Sequence, residues 1–524
     1  MAGSAVRCLV RRDTYRDSVE LMRVAAEVEG LPGVLRAALM MGTPANRAVL
    51  TDAGLVTDEA SAAGPGDLIV AVSAAGAEAA TAALDRAASL LVGQGPPSSE
   101  SAGAHAPAPQ TIAEALTVQP PANLAIISVP GPYATAEALK ALKRGLHVFL
   151  FSDNVPIEDE ILLKGLARKR GLLVMGPDCG TAILDGVPIG FANVVRRGRI
   201  GLVGASGTGL QQVSCLIDRL GEGVSQVIGV GGHDLDARVG GPMMRAGIER
   251  LTPDPGTAVI VLVSKSPAPA VAQAVLSAAA RSGKSVVVNF LGGDPAAIRA
   301  ADAIPAATLE EAATAAVSLA RGKAAPSRKT PRGGARLPAT LPATARHLRP
   351  GQRQIRGLFS GGTLCQEAAL ILAEALGGGQ SDAGFNTVDL GDDEFTRGRP
   401  HPMIDFRLRN ERMVAAAEDP TTGVILLDVV LGYGAHPDPS GALRPALDQA
   451  VAVARRARRG LAIVASVCGT AADPQGLARQ EEALAAAGVL LASSNAQAAR
   501  LAAALVGPPG RNRKPAPSRL SRRR

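Results

Sequence analysis

Two short turns, far apart in the chain, carry nearly the same residues after an apolar, strand-like run. The first turn follows RIGLVGA and consists of Ser206, Gly207 and Thr208. The second follows QIRGLF and consists of Ser360, Gly361, Gly362 and Thr363. If a helix begins at each turn, its free N–H groups and the positive end of its dipole favour an anion, which glycine allows to approach. Both turns predict a phosphate-binding site, and a packing turn capped by Ser360 is the alternative.

Neither turn completes a known nucleotide-binding or nucleophile motif. The chain shows no GxGxxG or Walker A pattern at these positions. The GxSxG pattern fails at the first turn because Thr208 occupies its final glycine position. The residues therefore favour an anion site over a serine nucleophile.

Three histidines in polar loops are candidate catalytic residues, because a histidine side chain titrates near neutral pH. His233 lies in GVGGHDLD, His401 in RPHPMIDFR and His436 in GYGAHPDP. Arg399 and Arg407 flank His401, and a guanidinium offers the paired donors that a carboxylate or phosphate accepts. Each histidine could instead be an ordinary polar loop residue, and the arginines could form a surface ion-pair cluster. No metal site is predicted, because the loops lack tight ligand spacing.

Apolar strands must position these turns and loops. LAIISVP, LHVFLFS, RIGLVGA, SQVIGVGG, TAVIVLVSK and SVVVNFLGG alternate with helical periods, and the C-terminal part repeats the pattern with GVILLDVVLGYG and LAIVASVCG. Such runs are typical of parallel strands with helices on both faces. We expect an α/β fold with several doubly wound parallel sheets of the Rossmann or flavodoxin-like type. Ligands bind these sheets at the carboxyl ends of the strands, where both turns lie.

Composition and charge exclude several protein classes. The formal charge is +8, but residues 321–356 carry ten basic side chains and residues 507–524 seven, without an acid, which leaves −9 for the rest. The folded part is therefore acidic, and we predict no specific nucleic-acid partner. The sequence shows neither a membrane span nor a signal-peptide pattern, and its five cysteines form no CxxC pair. We therefore expect a reduced, cytoplasmic protein that does not bind membranes.

The order of the motifs resembles a known family. SVPGPYATAEALKALKRG, GLLVMGPDCGTAI, RRGRIGLVGASGTG and QVIGVGGHDL occur in the order found in the alpha subunit of succinyl-CoA synthetase. With IRGLFSGGTLCQEA, GRPHPMIDFRLR and LLDVVLGYGAHPDP, the chain is more similar to the FdrA-like proteins, a branch of the NDP-forming acyl-CoA synthetase superfamily. The resemblance covers roughly residues 115–500 and implies a succinyl-CoA synthetase-like fold.

The resemblance also implies ligands for particular residues. In succinyl-CoA synthetase a phosphohistidine is held between two helix N-termini, one from each subunit, which the two Ser-Gly turns match. CoA, a candidate cofactor, would be lined by Pro130, Pro132, Tyr133, Gly176, Pro177, Asp178 and Cys179. The family's phosphohistidine loop is missing, because DPAAIRAADAIP follows SVVVNFLGG and contains no histidine. Neither a glycine-rich CoA turn before residue 123 nor an ATP-grasp domain is evident.

The resemblance and the linker-like segments together predict the domain organisation. We expect a small N-terminal α/β module (1–92), a linker (93–110), a CoA-binding-like domain (111–196), a first ligase-type domain (197–321), a basic disordered linker (322–352), a second ligase-type domain (353–506) and a basic tail (507–524).

Three functions agree with these residues. The first is an acyl-CoA ligase-type enzyme subunit that handles a phosphate or acyl-phosphate between the two turns. The second, implied by the FdrA-like resemblance, is a subunit of an oxamate carbamoyltransferase of purine or allantoin degradation that uses carbamoyl phosphate. The third is a non-catalytic regulatory or assembly subunit that retains the ligase fold. In each case we expect an oligomer, either with itself or with operon-encoded subunits.

Overall fold

The computed structural model describes residues 5–16, 18–92, 109–326, 348–349, 351–378, 384–396 and 400–507. The predicted disordered linkers and the basic tail lie largely outside these described residues. Within the described part of the chain, none of the helices has the length and apolar character needed to cross a bilayer.

The N-terminal module is a three-stranded antiparallel sheet with helices on both faces. The strand order is β1-β3-β2, so the third strand lies between the first two. Helices α1 and α4 cover one face, and the short α2 and α3 pack on the other. The elements are β1 (Ala5–Arg11), α1 (Ser18–Glu29), β2 (Val34–Met41), α2 (Pro44–Asp52), α3 (Asp58–Ser61), β3 (Leu68–Ala74) and α4 (Ala77–Val92).

A small parallel sheet follows, with strand order β4-β5-β6. Its strands are short and apolar, and alanine-rich helix faces cover them. The elements are α5 (Ile112–Val118), β4 (Leu124–Ile127), α6 (Gly131–Lys143), β5 (His147–Leu150), α7 (Ile157–Arg170) and β6 (Val174–Met175).

A seven-stranded sheet with order β13-β12-β11-β9-β10-β7-β8 forms the centre of the molecule. Its strands β9 to β13 pair in parallel, whereas the β7–β8 hairpin joins β10 in antiparallel orientation. The elements are β7 (Thr181–Leu184), β8 (Val187–Gly190), β9 (Arg197–Ala205), α8 (Gly207–Arg219), β10 (Val224–Gly229), α9 (Pro242–Leu251), β11 (Val259–Ser264), α10 (Pro269–Ala280), β12 (Ser285–Phe290), α11 (Pro295–Ala300), β13 (Ile304–Pro305) and α12 (Leu309–Ala320).

The C-terminal domain is a five-stranded, fully parallel sheet with order β15-β14-β16-β17-β18. Every residue of β16 is buried, as expected for a strand covered on both faces. The elements are β14 (Gln354–Phe359), α13 (Gly362–Leu376), β15 (Phe385–Asp389), α14 (Asp393–Thr396), α15 (Arg407–Glu418), β16 (Thr422–Val430), α16 (Pro439–Arg456), β17 (Ala462–Cys468), α17 (Leu477–Ala486), β18 (Leu490–Ala492) and α18 (Asn495–Val506).

One apolar core joins the two larger sheets. Leu210 and Val213 on α8 belong to the same buried cluster as Leu364 and Ala368 on α13. Burying a leucine or valine side chain contributes roughly 1.5–3 kcal/mol, so this shared cluster holds the two domains firmly together. The predicted α/β fold with several parallel sheets is confirmed, and the shared core brings the carboxyl ends of β9 and β14 side by side.

Candidate functional site

The two Ser-Gly turns meet at the boundary between the seven-stranded sheet and the C-terminal domain. Ser206 is the N-cap of α8, and its hydroxyl oxygen accepts a hydrogen bond from the amide of Gly209 at 3.0 Å. The same oxygen lies 2.6 Å from the hydroxyl oxygen of Thr363, in the first turn of α13. Thr208 fills the space beside Gly361, where an added Cβ atom would lie 2.9 Å from the threonine Cβ. The helix N-termini of two domains are therefore in direct contact.

A buried carboxylate already occupies part of the second turn. Asp428 on β16 accepts hydrogen bonds from the backbone amides of Ser360 and Gly361, each at 2.8 Å. The Ser360 hydroxyl donates to the same carboxylate at 3.1 Å, and the fully buried Arg409 pairs with it. Ser360 therefore does not cap the helix as the packing alternative supposed, because the N-cap of α13 is Gly361. An external anion would have to use the next amides along the helix.

Three titratable side chains surround the start of α13. The space beside Gly362 is taken by the Oδ2 atom of Asp389, and the Lys265 Nζ atom lies 3.4 Å from the same point. The space beside Gly391 is bounded by Asp389 Oδ1 at 3.2 Å and by His401 Nε2 at 2.7 Å. Asp389 ends β15, whereas Lys265 directly follows β11 of the neighbouring domain. The two domains thus contribute a carboxyl group and an ammonium group to the space beside Gly362.

Burial and neighbouring charges set the ionisation of this cluster. Burial raises the pKa of Asp389, and the nearby carboxylate of Asp428 raises it further, although Lys265 opposes the change. Burial, with the charge of Arg409, lowers the pKa of His401 to about 4. His401 is therefore neutral near pH 7, with Nδ1 accepting from the Met403 amide at 3.2 Å. A neutral imidazole with Nδ1 occupied presents an N–H donor at Nε2.

His233 belongs to a different cluster. Its Nδ1 atom lies 3.5 Å from Oε2 of the buried Glu160, and that carboxylate raises the pKa of His233. The other Glu160 oxygen binds Lys164, which is 0% exposed and also pairs with Asp234. Asp234 in turn accepts from the first amides of α9. His233 is exposed and lies beside the turn that carries Asp178.

His436 and Arg407 have structural partners. The His436 ring accepts from the Asp438 amide at 3.0 Å and packs edge-on against Phe406, and burial lowers its pKa. Arg407 pairs with Asp405 and with Glu29, which ends α1 of the N-terminal module. These contacts tie the His401 loop to that module. Arg399, the other predicted arginine, lies outside the described residues.

The residues predicted for the CoA side lie at two strand ends. Pro130 is the N-cap of α6, Pro132 lies in its first turn, and the Tyr133 ring is exposed. The turn formed by Gly176, Pro177, Asp178 and Cys179 packs against the His233 loop, since a Cβ atom on Gly231 would collide with Gly176 and Pro177. Burial raises the pKa of the Cys179 thiol to about 12, so this thiol is not a nucleophile at neutral pH.

Sequence reasoning missed Lys265, Asp389, Asp428 and Arg409. One signal was available, since Asp428 is an acidic residue inside the apolar run GVILLDVVLG. A carboxylate within a buried strand requires a partner, and here Arg409 supplies it. Lys265 and Asp389 had no comparable signal in the sequence, because neither is a charged residue inside an apolar run.

Three family models match parts of the chain. A CoA-ligase model matches residues 358–505, a CoA binding domain model matches residues 195–292, and a model described as AllF, heavy metal-associated domain matches residues 4–108. The CoA binding match falls on the segment predicted as the first ligase-type domain, so the assignment of the two middle domains stays a prediction.

The described residues of the N-terminal module do not form a metal site. Within the described part of the chain, no group of three His, Cys, Asp or Glu side chains could hold a metal ion. Cys8 is the cysteine of this segment, and its thiol donates to the carbonyl oxygen of Leu55.

Similar proteins cover either the whole chain or one part of it. The uncharacterized protein YahF of Escherichia coli K12 is 41% identical over 95% of this chain and 98% of its own length. A mitochondrial succinate–CoA ligase [ADP-forming] subunit alpha-2 of Trichomonas vaginalis is 31% identical over 28% of this chain and 47% of its own length. A solved dinucleotide-forming acetyl-coenzyme A synthetase of Ca. Korarchaeum cryptofilum aligns with 73% of this chain and 82% of its own, at 15% identity and a TM-score of 0.33.

The family models and the relatives in sequence place the chain in the NDP-forming acyl-CoA synthetase superfamily, whose CoA-ligase and CoA-binding models it matches. Within that superfamily it belongs to the FdrA-like proteins, together with YahF, which it matches over nearly its full length. The resemblance found in the sequence is confirmed. The chain spans only about half the length (47%) of the Trichomonas ligase subunit.

Proposed function

We propose that this chain is a subunit of an acyl-CoA ligase-type enzyme that binds a phosphate or acyl-phosphate between the N-termini of α8 and α13. The observation that carries the proposal is the 2.6 Å contact between Ser206 and Thr363. It joins two helix ends whose first N–H groups have no acceptor within their own helix. Two dipoles that point at one place favour an anion more than a single helix does.

The amides proposed to bind the anion are those of Gly207, Thr208, Gly362 and Thr363. Gly207 and Gly362 are only half-buried, whereas the residues around them are buried, so the two glycines face the open side of the boundary. Ser206 and Thr363 hold the helix ends in register through their hydroxyl groups. The Ser360 and Gly361 amides would act indirectly, since Asp428 fixes the second turn through them.

The proposed chemistry is attack of a CoA thiol on an acyl-phosphate. Negative charge develops on the acyl oxygen and on the departing phosphate, and fixed N–H donors stabilise such charge. Residues 294–305, which follow β12, contain no histidine, so the proposed reaction does not pass through the superfamily's phosphohistidine loop. CoA would approach from the turns Pro130–Tyr133 and Gly176–Cys179.

The names of the relatives suggest a substrate class. One is a succinate–CoA ligase subunit, and another is an ADP-forming sulfoacetate-CoA ligase subunit of Bilophila wadsworthia, 26% identical over 33% of this chain. Both names specify a small carboxylic acid with a second acidic group. We propose a substrate of this class and a further subunit that supplies the nucleotide site.

The test is a turnover assay of the purified chain with its encoded neighbours. One arm contains ATP, CoA and either succinate or sulfoacetate, and the other contains carbamoyl phosphate and oxamate. The proposal expects CoA-dependent ADP release in the first arm, abolished by Gly207→Asp. Gly76→Asp is the matched control, because Gly76 directly precedes α4, much as Gly207 begins α8, and the space beside Gly76 is open. Turnover confined to the second arm would favour the carbamoyltransferase, and turnover of the complex unaffected by Gly207→Asp would favour a regulatory subunit.

A further inference from the structure

We infer that Lys265 and Asp389 form a two-domain clamp for the bound anion, in which the lysine supplies charge and the aspartic acid donates a hydrogen bond. This inference rests on the proposed function, because it assigns recognition roles within the same anion site. Neither residue belongs to the paired Ser-Gly turns.

The geometry directs both side chains at the open end of α13. A Cβ atom on Gly362 would collide with Asp389 Oδ2 and would lie 3.4 Å from Lys265 Nζ. Glycine at this position therefore leaves room for both polar groups beside the Gly362 amide. Lys265 is exposed and directly follows β11. Its ammonium group lies close enough to Asp389 to lower the pKa of that carboxyl group, and the same positive charge, held beside a helix N-terminus, suits an external anion.

Asp389 is compatible with an anion only when it carries a proton. Its Oδ1 atom accepts from the Gly391 amide at 3.0 Å, which leaves Oδ2 to face the site. Burial, Asp428 and Asp392 raise its pKa, and Lys265 lowers it. The other titratable neighbours are His401, which is neutral, and Cys365, whose thiol pKa burial raises to about 12.

Proton uptake should therefore accompany anion binding. An ionised Asp389 would repel an anion at the helix ends, whereas a protonated carboxyl group donates a hydrogen bond from Oδ2 to an anion oxygen. A bound anion raises the pKa of Asp389 further, so the two events favour each other. The Asp389 carboxylate takes this proton from solvent and forms an O–H bond, and no other covalent bond changes.

The experiment measures sulfate affinity between about pH 5 and 8 by thermal stabilisation, with sodium chloride at equal ionic strength as the reference. Sulfate is the probe because it stays a dianion throughout this range, unlike phosphate. The variants are Asp389→Asn, which keeps a donor but cannot ionise, Asp389→Ala, Lys265→Gln, and Asp392→Asn as the control. Asp392 is an exposed acid in the same turn whose charge raises the pKa of Asp389, so its replacement removes that charge and leaves both clamp residues in place.

In the wild type we expect sulfate affinity to fall as the pH rises through the pKa of Asp389. Asp389→Asn should bind with nearly constant affinity. Lys265→Gln should bind roughly tenfold more weakly at low pH, and its affinity should fall at a higher pH than in the wild type, because Lys265 lowers the pKa of Asp389. Asp389→Ala should lose about tenfold at low pH. Asp392→Asn should keep a fall in affinity with pH, displaced to lower pH because one of the charges that raise the pKa of Asp389 is gone. Sulfate binding that is equal in the wild type, Asp389→Ala and Lys265→Gln would overturn the clamp but leave the anion site intact. Absence of binding to the wild type would instead refute the proposed function.

Discussion

The hydroxyl oxygens of Ser206 and Thr363 lie 2.6 Å apart and belong to helices from two different domains. Ser206 directly follows β9 and caps α8, whereas Thr363 is the second residue of α13, the helix that follows β14. The pair therefore fixes how the two helix ends face each other. The two similar Ser-Gly turns of the sequence therefore form the two sides of one candidate site in the structure.

Removing either hydroxyl group should weaken the junction between the domains. Ser206→Ala loses both the cap on the Gly209 amide and the contact with Thr363, so we expect a loss of about 1–2 kcal/mol in the free energy of unfolding. Thr363→Val loses only the contact and should cost about 1 kcal/mol. Urea denaturation measures both values. Ser277→Ala, at an exposed helical serine, is the control and should change stability by less than about 0.5 kcal/mol. Equal effects of all three changes would contradict the role of the pair.

The buried pair of Arg409 and Asp428 should be far more sensitive than a surface pair. Asp428→Asn leaves the Arg409 charge buried without its counter-ion and weakens the hydrogen bonds from the Ser360 and Gly361 amides. We expect a loss of about 3–5 kcal/mol in denaturation experiments. Asp448→Asn breaks an exposed i,i+4 pair with an arginine and should cost at most about 0.5 kcal/mol. Similar losses from both changes would show that Asp428 does not organise the second turn.

Glu367 should make stability depend on pH in a narrow window. This buried side chain on α13 accepts from the amide of Leu309 on α12 and from Asn495 on α18. Burial raises the pKa of Glu367 from 4.5 to about 7, so the folded state holds the proton more tightly than the unfolded state does. The contribution of Glu367 to the free energy of unfolding is therefore fully present below pH 4.5 and is lost as the pH rises to about 7. The loss is at most about 3 kcal/mol.

The measurement is the free energy of unfolding across that window in the wild type, Glu367→Gln and Glu374→Gln. Glu374 lies exposed on the same helix and serves as the control. Glu367→Gln should flatten the decline, and Glu374→Gln should not. A wild-type curve that rises across the window would contradict a raised pKa for Glu367.

Cys179 should resist alkylation in the native protein. It is buried and has a thiol pKa of about 12, whereas Cys8 is half-buried. Because the thiolate is the reactive form, iodoacetamide at neutral pH should label Cys8 before Cys179, as read by peptide mass spectrometry. Rapid labelling of Cys179 in the native protein would contradict its burial and its raised pKa.

The sequence predicted the fold class and the two turns because both depend on local patterns. Apolar runs between helical periods define parallel sheets, and Ser-Gly at a strand end marks a helix start. The contact between Ser206 and Thr363 could only be expected from the resemblance, because it depends on how two domains pack.

Lys265 and Asp389 could not be found in the same way. They end strands of different sheets, and no spacing in the chain relates them. The packing of α8 against α13 brings them to Gly362. Arg407 was predicted to bind substrate from its loop, yet its carboxylate partner Glu29 comes from the N-terminal module. Such partners follow from domain docking, which local residue patterns do not encode.

The central claim is that one anion binds between the N-termini of α8 and α13, and calorimetric titration with phosphate tests it most directly. A carboxylate introduced at Gly207 would lie where the anion is proposed to bind, and the nearest side-chain atom, Thr181 Oγ1, is 3.3 Å from an added Cβ. We predict one phosphate per chain in the wild type and in Gly76→Asp, with stabilisation of about 2.7 kcal/mol at a hundredfold excess over the dissociation constant. Gly207→Asp should show no binding while remaining folded. Phosphate binding of unchanged affinity in Gly207→Asp would contradict the claim.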